Sequence, residues 1–253
     1  MTGSTWHGRL VVLPDADALA RAAADDFARR VSEAVAARGR FVMALSGGQT
    51  PRRLNKLLAD EPYRSRIPWG KIYLFWGDER HVPPDDPQSN YGMVRETLLS
   101  KIPLPDANIH RIQAELPDAS EAAARYDAEV RRFFGLLPGQ FPRFDLMYLG
   151  LGIEGHTASL FPDTTALEVR DRIVVATRVA KLDADRITMT FPVFDQARAV
   201  VFLVEGADKA EILAAVRNVA TAARYPAGEI HPEDGELIFM VDRAAAADSG
   251  PPS

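Results

Sequence analysis

Residues 144–162 read FDLMYLGLGIEGHTASLFP, a short apolar run that ends in a glycine-rich turn. The apolar part, 145–149, has the length and composition of a buried β-strand. Gly150, Gly152 and Gly155 then let the backbone turn sharply and approach a ligand closely. Glu154 and His156 sit on that turn, two residues apart. In open α/β sheets, ligands bind in the crevice beyond the carboxyl ends of the strands. A carboxylate and an imidazole at such a strand end therefore mark the first place to look for chemistry.

The same strand pattern recurs along the chain. Apolar runs at 10–13, 41–45, 72–76, 173–176, 187–191, 200–204 and 237–241 read as further strands. Many are continuous rather than alternating, which suits parallel strands covered on both faces. Helical spacing lies between them: Leu19, Ala23, Phe27, Val31 and Val35, then Tyr126, Val130 and Phe133, then Ile212, Val216 and Val219. Strands alternating with helices predict an α/β fold, a Rossmann-like, doubly wound and mostly parallel sheet with helices on both faces. No internal repeat or low-complexity linker divides the chain, so it reads as one domain over 1–247 with a frayed tail at 248–253. The Pro-rich stretch 82–87 and the turn 137–142 read as surface excursions between elements.

Composition narrows the function classes. The 253 residues are 47% hydrophobic, enough for a full core. There is no cysteine, hence no disulfide framework and no thiolate ligand or nucleophile. The N-terminal apolar run is too short for a signal peptide, and no stretch of about 18 apolar residues could span a bilayer. These features predict a cytoplasmic protein with no membrane partner. A net charge of −5 argues against a nucleic-acid surface, which needs a clustered basic face. An anionic metabolite would have to be held by local groups.

Four further segments carry such groups. Strand 41–45 runs into Ser46, Gly47, Gly48, Gln49, Thr50 and Pro51, with a helix expected over 52–58 and Pro51 at its first position. A glycine turn at a helix N-terminus offers unpaired N–H groups and the positive end of the dipole, as a phosphate requires, although a plain βα turn would read the same way. Strand 72–76 ends in Gly77, Asp78, Glu79, Arg80 and His81, a run of ionisable groups that is either a solvated loop or faces a polar ligand. Arg80, with its planar fork, is the natural partner of a phosphate or carboxylate there. Lys209 opens the helix after strand 200–204, where the dipole disfavours a cation unless an anion binds beside it. Lys181 and Arg186 flank the start of strand 187–191 and could add positive charge to the same crevice, or be ordinary surface cations.

His156 is the best candidate base, because an imidazole with an ordinary pKa near 6.5 is largely neutral at pH 7. Its plainer reading is a packing or capping histidine. His7, His81, His110 and His231 are scattered with no metal-ligand spacing on a helix, so no metal dependence is expected.

Taken in order, LSGGQTP, FWGDERHVPPDDPQSNYGM, LGLGIEGHTASLFP, RITMTF and VEGADKAEIL resemble the 6-phosphogluconolactonase family, grouped with the glucosamine-6-phosphate deaminases in a wider sugar-phosphate superfamily. The resemblance spans residue 10 to about residue 245. It implies a modified Rossmann-like fold and hydrolysis of 6-phospho-D-glucono-1,5-lactone, a phosphorylated sugar lactone, in the oxidative pentose phosphate pathway, with no metal or organic cofactor. It places the phosphate-side loop at Ser46–Thr50, including Gly47 and Gly48, the GDER arginine at Arg80, the general base at His156 and the phosphate-side lysine at Lys209. Lys181 and Arg186 match basic positions in a segment that is usually proline-rich and here reads AKLDADRIT. The acid before the histidine, usually Asp, is Glu154, and Asp78 keeps the acid of the second motif. Deaminases of the superfamily place a glutamate five residues beyond the histidine, where this chain has Phe161. That leaves a deaminase relay incomplete. A non-catalytic sugar-phosphate sensor, the remaining alternative, would need an output module that the sequence does not suggest.

Overall fold

Two sheets of unequal size divide the strands. The computed structural model describes residues 8–247, so His7 and the expected tail at 248–253 lie outside the described residues. In chain order the helices and strands are β1 (Arg9–Leu13), α1 (Ala16–Arg38), β2 (Phe41–Leu45), α2 (Gln49–Leu58), α3 (Tyr63–Arg66), β3 (Ile72–Trp76) and β4 (Asp78–Arg80). Next come α4 (Asn90–Thr97), β5 (Ile109–His110), α5 (Ala119–Phe134), β6 (Leu146–Leu149), β7 (Val174–Val179) and β8 (Ala184–Met189). The chain closes with α6 (Phe191–Asp195), β9 (Ala199–Val204), α7 (Ala210–Arg217) and β10 (Glu236–Asp242).

The larger sheet has seven strands in the order β1-β10-β9-β6-β2-β3-β5, and every neighbouring pair is parallel. From β2 the chain moves outward to β3 and β5; from β6 it moves the opposite way to β9 and β10. The gap between β2 and β6 is therefore the topological switch point, where connections leave in opposite directions and open a crevice above the strand ends. Their ladder is confined to two register pairs, Met43 with Leu146 and Ala44 with Met147.

Both faces of this sheet are covered, which is why β2, β6 and β9 are buried at every position. Phe41 is in register with Ile72, so Phe75, three residues on, points to the opposite face. Phe27 of α1 packs edge-on against Phe41 at 5.6 Å, while Phe133 of α5 packs edge-on against Phe75 at 5.0 Å. Helices α1 and α5 thus lie on opposite sides. The four-residue repeat of α1 buries Leu19, Ala23, Phe27 and Val31 completely or nearly so. Burying a Phe side chain of this kind contributes roughly 1.5–3 kcal/mol. Asp15 starts α1 by accepting a hydrogen bond from the Ala18 N–H at 2.7 Å, and Gly39 ends it in the left-handed conformation.

Several elements depart from the sequence expectations. The 173–176 and 187–191 runs form β7 and β8, which pair antiparallel with each other, and β8 also pairs antiparallel with β4, in a separate three-stranded sheet against α5. Phe191 leaves the strand and begins α6. Helix α2 starts at Gln49, so Pro51 is its third residue; the first-turn N–H groups have no intrahelical partner, and proline fits there too. Helix α7 ends at Arg217 and leaves Val219 exposed. Lys209 does not open α7 but closes the short 3₁₀ turn Ala207–Lys209 before it. Strands β4 and β5 and helix α4 have no counterpart in the hydrophobic pattern.

Candidate active site

The strand ends around the switch point enclose a cavity of about 260 Å³. The turn after β2 contributes Ser46, Gly47 and Gly48; β4 contributes Asp78 and Arg80; α4 contributes Asn90. From the turn after β6 come Gly150, Leu151, Gly152, His156 and Ala158, and from the segment after β9 comes Lys209. Of the candidate residues, Ser46, Gly47, Gly48, Asp78, Arg80, His156 and Lys209 are thus brought together. Thr50 is buried in the first turn of α2, outside this lining. Glu154, Lys181 and Arg186 also lie outside it.

The turn after β6 is folded around its histidine. The His156 carbonyl accepts from the Gly152 N–H at 2.9 Å, the Gly152 carbonyl accepts from the Gly155 N–H at 2.9 Å, and the Thr157 hydroxyl donates to the Gly150 carbonyl. The imidazole lies directly over Gly152, where a Cβ atom would stand 1.9 Å from Nδ1. Phe161 stacks on the ring at 4.0 Å between centroids. His156 Nδ1 is 3.1 Å from Glu154 Oε2, yet it is buried with no hydrogen-bond partner, so the two atoms are close without being aligned. The other Glu154 oxygen is ion-paired with Lys181, whose ammonium also lies 4.9 Å from the centre of the Phe161 ring. Lys181 therefore neutralises Glu154.

Burial lowers the His156 pKa to about 4; Asp78 opposes the shift, while Lys209, Arg80 and Arg186 reinforce it. A neutral imidazole at pH 7 can accept a proton, and an anion bound among the three cations would raise its basicity.

The alternation of β4 explains how Asp78, Glu79 and Arg80 can be neighbours in sequence. Asp78 and Arg80 share one face, and Glu79 points to the other. Asp78 accepts a hydrogen bond from the Ser159 hydroxyl at 2.6 Å and lies 3.4 Å from Asn90 Nδ2. On the other face, Glu79 accepts from the backbone N–H groups of Asn90 and Tyr91, both at 2.7 Å, and from Arg80 N–H at 2.8 Å. Burial pushes Glu79 above the ordinary carboxylate range despite those donors. Its work is structural: it pins the start of α4 to β4.

In the β4–β8 ladder Arg80 is the register partner of Arg186. Like charges directly opposite one another are destabilising. Arg80 donates to the Gln88 carbonyl and Arg186 to the Asp185 carbonyl, and no carboxylate is ion-paired with either among the described residues. The Arg186 pKa is lowered by burial and then by Arg80. Ser46 adds a hydroxyl that is buried with no hydrogen-bond partner at the wall of the same cavity. Adjacent cations, an unsatisfied hydroxyl and a glycine turn at the start of α2 together make an environment suited to an anion.

Two polar residues of this site, Asn90 and Ser159, are not among the sequence candidates. Ser89 caps α4 by accepting from the Gly92 N–H, so a Ser–Asn helix start after a Pro-rich loop was the available signal for Asn90. Ser159 had only its proximity to His156.

The sequence profile of the glucosamine-6-phosphate isomerases/6-phosphogluconolactonases matches residues 14–239. The 6-phosphogluconolactonase of Nostoc sp. is 41% identical over 239 residues, covering 94% of this chain and 96% of the relative. That of Synechocystis sp. is 44% identical over 224 residues, covering 88% and 90%. The solved structure of 6-phosphogluconolactonase from Trypanosoma cruzi superposes with a TM-score of 0.88 at 25% identity, covering 99% of this chain and all of that one. With a parallel sheet whose switch point gathers the glycine turn, Arg80, Lys209 and the histidine, and with this identity over nearly the full length, the chain belongs to the glucosamine-6-phosphate isomerase/6-phosphogluconolactonase family.

Proposed function

We propose that this chain hydrolyses 6-phospho-D-glucono-1,5-lactone to 6-phospho-D-gluconate, a step of the oxidative pentose phosphate pathway, in the cytoplasm. The observation that carries the reading is the neutral, half-buried His156 in one cavity with the cations and donors suited to a phosphate. Among the described residues no helix is long and apolar enough to cross a membrane.

In this mechanism the phosphate is held by Ser46, the Gly47–Gly48 turn, Arg80 and Lys209, with Arg186 adding positive potential from behind Arg80. Binding at this remote group orients the lactone, so its energy is used to position C1 beside the base. His156 removes a proton from the attacking water, and the tetrahedral oxyanion forms at C1. The proton held on the imidazole then passes to the departing ring oxygen. Asp78, aligned by Ser159, favours the imidazolium that forms transiently, whereas Glu154, beside Nδ1, is already neutralised by Lys181.

A deaminase would need further positioned acids. Phe161 instead presents a hydrocarbon ring against His156, at the position where the deaminases of the superfamily place a glutamate. Stopped-flow hydrolysis of freshly generated 6-phospho-glucono-1,5-lactone, corrected for spontaneous opening, tests the assignment, with glucosamine-6-phosphate as the control. Acceleration of the lactone with the amine untouched is the expected result. Turnover of the amine, or no acceleration of the lactone, would overturn it.

A further inference from the structure

Asn90 occupies an unusual place between the two halves of the cavity. It is 2% exposed, begins α4 and lines the cavity wall. Its backbone N–H is fixed by Glu79 at 2.7 Å, and its side-chain Nδ2 donates to the Asp78 carbonyl at 3.0 Å. Only the amide NH₂ can face a carbonyl oxygen, so these contacts fix the orientation of the whole carboxamide. Its oxygen, Oδ1, then faces away from Asp78 and lies over Gly47, so close that a Cβ on that glycine would stand 1.8 Å from it. Oδ1 accepts no hydrogen bond from any described residue.

The chemistry of that oxygen restricts what it can read. A carboxamide oxygen only accepts hydrogen bonds, so it repels the acceptor oxygens of a phosphate and requires a donor such as a hydroxyl. It also stands against Gly47, on the phosphate side of the cavity, rather than against Gly152, over which His156 lies. The ligand hydroxyl that meets it is therefore one near the phosphate-bearing carbon and remote from the reacting carbonyl. In a 6-phospho-1,5-lactone, O5 is in the ring and the hydroxyl nearest C6 is that on C4.

We propose that Asn90 is a specificity-determining residue whose carboxamide oxygen accepts a hydrogen bond from the C4 hydroxyl of the sugar, so that it distinguishes a gluco from a galacto configuration. The inference rests on the lactonase reading and goes beyond it, because lactone hydrolysis by itself demands no particular C4 stereochemistry. A site built to bond a hydroxyl leaves a buried acceptor unpaired when the hydroxyl is misplaced, and discrimination of this kind ranges from tens-fold upward.

The test compares kcat/KM of the wild type and Asn90→Ala on three 6-phosphorylated aldono-1,5-lactones: gluco, its C4 epimer galacto and its C2 epimer manno. The wild type is expected to favour gluco over galacto by ~30-fold or more. In Asn90→Ala that ratio is expected to collapse to a few-fold while the gluco/manno ratio stays as in the wild type. A gluco/galacto ratio retained in the variant, or equal losses at C2 and C4, would overturn the proposal and point to an indirect effect through Asp78. Equilibrium binding of 6-phosphogluconate and 6-phosphogalactonate to the wild type gives a readout that needs neither turnover nor a folded variant. Equal affinities would also overturn the proposal. Failure of the lactonase reading would look different, as an absence of wild-type turnover on all three lactones.

Discussion

Gly152 carries a specific steric demand, and Gly152→Ala tests it. Its φ is not in the left-handed region, so alanine is tolerated by the backbone and the perturbation is confined to one methyl group. That methyl would stand 1.9 Å from Nδ1, 2.0 Å from Cε1 and 2.7 Å from Cγ of His156. Ordinary contact begins at 3.4 Å, and the Phe161 ring stacked at 4.0 Å limits where the imidazole can go. The ring must move by about 1.5 Å, and misplacement of a reacting group by about 1 Å costs on the order of 10²-fold. The expected outcome is a kcat lowered by ~10²-fold with KM changed less than about threefold, since the phosphate-side residues do not touch this glycine. Overpacking of this type costs roughly 1–3 kcal/mol, equivalent to a Tm lower by several degrees, which leaves the protein folded at 25 °C. Lactone hydrolysis coupled to oxidation of the released 6-phosphogluconate measures both constants, and circular dichroism measures the melt. A kcat within threefold of wild type would refute the argument that the position of His156 limits the rate.

The remaining expectations concern charge. Removing the like-charge pair with Arg186→Met is expected to leave Tm in phosphate-free buffer unchanged or higher, to raise KM, and to weaken stabilisation by added inorganic phosphate in a thermal-shift assay. Undiminished phosphate stabilisation would remove Arg186 from the anion site's electrostatics. For His156, NMR titration should give a pKa of about 4 in the free protein, rising when 6-phosphogluconate offsets Lys209, Arg80 and Arg186. A value near 6.5 in the free protein would contradict the burial argument. Because the folded pKa lies below the unfolded value of 6.5, the unfolded chain binds the extra proton between them. Stability is therefore lost as pH falls from about 6.5 to 4, by about 3 kcal/mol for this group alone. Urea melts across that window should be flatter for His156→Gln than for wild type; parallel curves would contradict the linkage.

The strands of the large sheet were legible because they are buried on both faces: 41–45, 72–76 and 146–149 are nearly unbroken apolar runs, and a glycine turn follows each of them. What an apolar run does not encode is the direction of its neighbour, so β7 and β8 read as members of the parallel sheet and instead pair antiparallel beside it. β4 was illegible as a strand because its three residues are all ionisable, and only the pairing with β8 sorts them onto two faces. Among the site residues, His156, Arg80 and Lys209 announce themselves by their chemistry at strand ends. The opposition of Arg80 and Arg186 depends on ladder register rather than on spacing. Lys181 reads as a cation that could add charge to the crevice or lie on the surface; it pairs instead with Glu154, a contact made by the β7–β8 turn reaching across to the β6 loop. Asn90 is neutral and sits at a helix start, where a helix cap and a ligand contact look alike in sequence.

The most direct test of the central claim, that His156 is the base of a phosphorylated-lactone hydrolase, is single-turnover hydrolysis of 6-phospho-glucono-1,5-lactone by wild type and His156→Ala with enzyme in excess. The expected result is a chemical step slowed by ~10²-fold or more with binding of 6-phosphogluconate retained, the usual scale for loss of a general base. A variant whose chemical step stays within a few-fold of wild type would show that another group activates the water.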